Sequence, residues 1–81
     1  MKYIPFYTDL LKDGTMSEVL LYGLICIMSK KSGECLASAQ TLGEIIGLND
    51  GTVRNVMSSI SKKGWVEVKA SGNKRAVKPL I

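Results

Sequence analysis

Two adjacent residues, Arg54 and Asn55, carry the side chains with the clearest recognition chemistry in this 81-residue chain. Both lie between Asp50 and Lys62, where Val53, Val56, Met57 and Ile60 recur at helical spacing. With that stripe turned inward, the opposite face of the same helix presents Gly51, Arg54, Asn55 and Ser58, with Ser59 at its edge. A guanidinium can donate two parallel hydrogen bonds to guanine, and a carboxamide can pair twice with adenine. Thr52, Ser58 and the amides at the helix start suit phosphate oxygens. Gly51 weakens the helix start but lets backbone approach closely. Asp50 complements the helix dipole, yet puts a negative charge at the end that would approach a polyanion. The expected contact residues of this helix are therefore Gly51, Thr52, Arg54, Asn55 and Ser58, with Arg54 and Asn55 the ones that read bases.

A second group supplies charge. Lys62 and Lys63 close the same helix, and Lys69, Lys74 and Arg75 flank a turn at Ser71-Gly72-Asn73. Flexible cations there would reach phosphates or the minor groove, adding affinity without reading sequence. The formal net charge of +4 hides an asymmetry. Up to residue 51, Lys2, Lys12, Lys30 and Lys31 face Asp9, Asp13, Glu18, Glu34, Glu44 and Asp50. Beyond it, Arg54, Lys62, Lys63, Lys69, Lys74, Arg75 and Lys78 face Glu67 alone. A cationic C-terminal third is the electrostatic footprint of a polyanion binder.

These residues need a frame, and the stretch Ser38 to Ile60 reads as one. Ser38 caps a first helix carrying Leu42, Ile45 and Ile46, which stops at Gly47; Asn49 caps the second. Gly47 stands where a tight turn needs positive φ, and Leu48 tucks the turn under both helices. Gly43 leaves room for the second helix to cross closely. The pattern predicts a helix-turn-helix.

The rest of the chain must cover that unit. Thr15 and Glu18 have capping-box spacing at the start of a helix expected to run to Lys30 or Lys31, where the two lysines would complement its dipole. One stripe of this helix, Leu20, Leu24 and Ile27, is expected to face the helix-turn-helix. Leu21, Tyr22, Ile25 and Met28 then need cover from the N-terminal segment or from a second subunit. In the N-terminal segment, Pro5 suits a first helical turn, followed by Phe6, Tyr7, Leu10 and Leu11. Glu34 to Ala37 suits one small strand. After Gly64, the run Trp65 to Lys69 alternates with period two and Arg75 to Lys78 returns, predicting a hairpin. Trp65 and Tyr22 read as core anchors rather than base-stacking platforms.

This order, helix, small strand, helix, helix, strand, turn, strand, resembles the winged-helix DNA-binding domains of replication initiator and replisome-organiser proteins from bacterial plasmids and phages. The apolar helix of Met16 to Ser29, GECLAS at 33–38 and LGEIIGLNDGTVRNVMSSISKKGWV at 42–66 carry the resemblance. It implies that Thr52-Val53 opens the recognition helix and that Ile60 and Gly64-Trp65-Val66 lead into the wing.

Size and composition agree with a single domain over 1–81, mainly α with a small β-hairpin, its recognition helix at about 50–62 and its wing at about 65–78. The longest apolar run, Val19 to Met28, is half the roughly twenty residues of a membrane span. The first eleven residues lack the features of a signal peptide, so the cytoplasm is the expected location. Cys26 and Cys35, without any histidine in the chain, are expected to be reduced thiols, not metal ligands. No P-loop, dinucleotide loop or carboxylate cluster suggests catalysis. The expectation is a non-enzymatic binder of double-stranded DNA, needing no cofactor or small-molecule ligand, with a homodimer as a candidate assembly. It would be a small transcription regulator or a replication-initiation factor. A winged-helix protein-interaction module is the alternative.

Overall fold

The computed structural model describes residues 7–30, 33–71 and 74–80, the side chains at 70, 71, 74 and 75 excepted. A 3-10 helix, Thr8–Lys12, leads to α1 (Met16–Met28), α2 (Ala39–Ile46), α3 (Asp50–Lys62) and the strands β1 (Val66–Ser71) and β2 (Lys74–Pro79). The fold class is α+β, with three α-helices and a two-stranded antiparallel sheet among the described residues. Tyr3, Ile4, Pro5 and Phe6, expected to begin the N-terminal turn, lie outside the described residues, as do Gly72 and Asn73 of the hairpin turn.

Local capping sets the helix starts. The Thr15 hydroxyl accepts from the Glu18 amide at 3.2 Å, and the Glu18 carboxylate accepts from the Thr15 amide at 2.8 Å. Ser38 accepts from the Thr41 amide at 3.2 Å, and Asn49 from the Thr52 amide at 2.7 Å. The expected end of α1 is corrected: the helix stops at Met28, before Lys30. The Ser29 hydroxyl donates to the Ile25 carbonyl at 2.6 Å and the Gly33 amide then bonds back to Ser29 at 2.7 Å. The last turn tightens, with the Ser29 and Lys30 amides reaching the Cys26 and Ile27 carbonyls at 3.3 and 3.4 Å, and Gly33 at φ +80° turns the chain away. Lys30 is exposed beyond the helix, and Lys31 lies outside the described residues.

The turn joining α2 to α3 explains two glycines. Gly47 has φ +78°, which a side chain resists. A Cβ on Gly43 would collide with the Leu48 carbonyl oxygen and come within 3.2 Å of Val53 Cγ2. The space at Gly43 therefore admits the turn itself as well as the neighbouring helix.

Helix α1 runs through the middle of the molecule, packing against α2, α3, β2 and the 3-10 helix. The expected stripe is rotated. Val19, Leu21, Tyr22, Leu24 and Ile25 are buried, whereas Leu20 and Ile27 are only half-buried. The 3-10 helix, part of the N-terminal segment expected to cover α1, packs on it, and strand β2, which neither expected source included, packs on it as well. The Glu34 to Ala37 strand reduces to one bridge, in which Cys35 and Val77 exchange backbone hydrogen bonds of 2.7 and 3.0 Å. Trp65 precedes β1 and is buried; its amide bonds to the Ile60 carbonyl at 3.0 Å. Tyr22 meets Trp65 edge-on at 6.0 Å, and Tyr7 meets Tyr22 at 5.5 Å, so both expected anchors are core residues. Both cysteines are free thiols; burial raises the Cys35 pKa.

Candidate nucleic-acid interface

Helix α3 divides as its sequence period requires. Val53, Met57 and Ile60 are buried and Val56 half-buried, which turns Gly51, Arg54, Asn55, Ser58 and Lys62 into solvent. Five of the expected site residues thus share one exposed surface. Arg54 keeps 64% of its side chain accessible and stands 3.7 Å from Asp50 across one helical turn. An exposed pair at that distance contributes little energy, so the guanidinium stays available while being oriented.

Thr52 differs from the rest. It is half-buried, and its amide is already bonded to Asn49. Its backbone donor is therefore not free for a phosphate.

Lys63 needs a larger correction. Its ammonium bonds to both carboxylate oxygens of Glu18 at 2.9 Å and lies 5.5 Å from the centre of the Trp65 ring. Ser59 donates to the same carboxylate at 2.5 Å. Burial alone would raise the Glu18 pKa, but the hydrogen bonds from Ser59, Lys63 and the Thr15 amide, with the Lys63 charge, outweigh it and hold the group at about 2. Lys63 is thus neutralised within the fold, and Ser59 is occupied beside it.

In the hairpin, Lys69 is exposed and 3.6 Å from Glu67, so its charge is partly offset. The backbones of Lys74 and Arg75 pair with Ser71 and Ala70; the expected phosphate contacts of their side chains lie outside the described residues.

Comparison with protein-family models, with curated proteins and with solved structures gives no match.

Where α3 passes β1, Arg54, Met57, Ser58, Ser61, Lys62 and Val68 line an open groove of about 460 Å³. Ser61, Met57 and Val68 were not among the expected site residues. For Val68 a signal did exist: the period-two alternation from Val66 makes it the second inward position, but the strand runs past the core there and leaves it 36% exposed. The surface as a whole offers one guanidinium, one carboxamide, two hydroxyls and one uncommitted lysine along a helix. That set can donate to base edges and phosphates.

Proposed function

We propose that this chain is a winged helix-turn-helix domain that binds double-stranded DNA with sequence preference, α3 being its recognition helix and the β1–β2 hairpin its wing. Arg54 and Asn55 read base edges, Gly51 permits close approach, and Ser58, Lys62 and Thr52 through its hydroxyl meet the backbone. Lys69, Lys74 and Arg75 add affinity from the wing, and Lys63 serves the fold. The observation that carries this reading is the single exposed α3 face on which Arg54, Asn55, Ser58 and Lys62 stand together. In this reading the protein acts in the cytoplasm, without cofactor or catalysis, as a transcription regulator or as a replication-initiation factor of plasmid or phage type.

The test is a mobility shift on mixed genomic DNA across a salt series, followed by selection of bound duplexes from a random pool. Salt-sensitive binding and enrichment of one motif are expected. Binding without enrichment would remove the reading roles of Arg54 and Asn55; absence of binding would remove the function.

The second reading, a protein-interaction module, draws on Met16 and Leu36, exposed by 70% and 67%. It takes precedence if no duplex is bound while those two residues prove necessary for a protein complex.

A further inference from the structure

Asp50 is the one acidic residue of α3, and the capping of the helix does not need it. The cap is Asn49, whose side-chain oxygen accepts from the Thr52 amide at 2.7 Å. Asp50 follows with its side chain 54% accessible, and it heads a row with Arg54, Ser58 and Lys62 at four-residue intervals on the exposed side of α3. Its Oδ2 lies 3.7 Å from Arg54 Nη2, beyond hydrogen-bond length, so the two heads stand side by side with the carboxylate's lone pairs uncommitted. An acid at that point is a liability to a protein that only gathers phosphates, because it repels each of them.

We infer that Asp50 determines base specificity: its carboxylate accepts from the exocyclic amino group of a cytosine one base step from the guanine that Arg54 holds. The inference rests on the function proposed above. A carboxylate accepts hydrogen bonds and donates none. The major groove opposes it with acceptors at guanine N7 and O6 and at thymine O4, and answers it only with the amino groups of cytosine and adenine. Adenine sets its N7 acceptor beside that amino group, whereas cytosine presents the donor alone. The ion pair fixes the register, since two heads 3.7 Å apart span about one 3.4 Å base step. On any other step the carboxylate meets an acceptor, so Asp50 penalises wrong sequences as well as favouring the right one. The pair therefore reads two adjacent base pairs as a unit, with Arg54 already turned toward its guanine before DNA arrives.

The experiment uses the full chain, with duplexes selected from a random pool by wild type, Arg54→Ala, Asp50→Ala and Asp50→Asn at one salt concentration. The position at which Arg54→Ala loses preference locates the guanine. Wild type should select a cytosine in a neighbouring base pair, and thymine in its place should weaken wild-type binding about tenfold. Asp50→Ala should bind mixed genomic DNA more tightly than wild type, yet distinguish that cytosine from thymine by less than about twofold. Asp50→Asn, able to donate as well as accept, should admit adenine there. If Asp50→Ala does not fold, the wild-type motif and Asp50→Asn decide alone. A wild-type motif without the neighbouring cytosine, or an Asp50→Ala that keeps its preference or weakens binding to every duplex alike, overturns the reading role. Asp50 then serves only the helix dipole, and the DNA-binding function stands. A wild-type protein that binds no duplex removes both.

Discussion

Lys63 Nζ stands 2.9 Å from each carboxylate oxygen of Glu18, joining the residue after α3 to the first turn of α1. One carboxylate thus caps its own helix, accepts from Ser59 and neutralises a lysine that would otherwise extend the cationic surface. The angle at which α3 presents Arg54 and Asn55 depends on such interhelical contacts, because α3 is anchored to α1 at this end.

The pH dependence of stability follows from that carboxylate. Glu18 is held at about 2 in the folded chain against an ordinary 4.5, so the fold favours its ionised form. The stabilisation is complete above pH 4.5 and disappears as pH falls from there through about 2. Its size is up to about 3 kcal/mol from the shift, or about 2 kcal/mol once solvent screening at the one-third-exposed Lys63 is allowed for. Urea unfolding should therefore show Glu18→Gln less stable than wild type at pH 7, with the gap closing near pH 2. A gap that persists at pH 2 would mean the substitution acts through packing instead of charge.

Lys63 itself separates structural charge from binding charge. Lys63→Met should lower the melting temperature by several degrees while leaving the salt dependence of DNA binding unchanged, whereas Lys62→Ala should do the reverse and flatten the slope by about 0.9. Matching slopes for the two variants would return Lys63 to the interface.

What could be read from the residue string has a simple limit. Caps at Thr15, Ser38 and Asn49, the turn at Gly47 and the stripe Val53, Met57 and Ile60 depend on partners within a few residues, so local chemistry specifies them. The end of α1 differs from the expectation because its last turn closes through i−3 bonds at Ser29 and Lys30, a backbone tightening that two lysines do not signal. Lys63 and Ser59 find Glu18 across 45 and 41 residues, a pairing that no local pattern encodes. Tyr22 is likewise met edge-on by Trp65, distant in sequence. The candidate surface was legible along α3, where helical period determines exposure, and illegible at Val68, whose exposure depends on where the hairpin leaves the core.

Base reading by Arg54 makes a separable prediction. Arg54→Ala should relax preference at one position of the selected site, at a cost of about 1 to 3 kcal/mol, and barely change thermal stability, since the side chain is exposed and its pair with Asp50 is weak. Equal loss of affinity for all sequences would assign Arg54 to phosphate instead.

The hairpin is tested by charge removal at its tip. Lys74 and Arg75 lie where β2 begins, paired in register with Ser71 and Ala70. Replacing both by alanine should weaken binding to every duplex and flatten the salt slope by at most about two. An unaltered slope would mean that the hairpin does not meet phosphates.

Assembly is the last prediction, and the structure changes its basis. Tyr22 is buried against this chain's own Tyr7 and Trp65, and β2 and the 3-10 helix pack on α1, so that helix makes no demand for a partner there. Apolar area persists elsewhere. Tyr7 rests on Tyr22, Tyr22 on Trp65, and the Leu80 amide bonds to Trp65, which places exposed Tyr7 and Leu80 around one aromatic cluster, with exposed Leu11 in the adjoining 3-10 helix. We propose that a homodimer pairs through this surface by isologous contacts of the same residues on both copies. Two recognition helices would then meet half-sites about one helical turn apart, or a multiple of it, and the selected DNA would be an inverted repeat. Leu11→Glu should convert the dimer to a monomer in light scattering and weaken binding to the repeat, while a single half-site is bound as before. A wild-type chain that scatters as a monomer at tens of micromolar, with a non-palindromic selected site, would leave the 3-10 helix as an intramolecular lid.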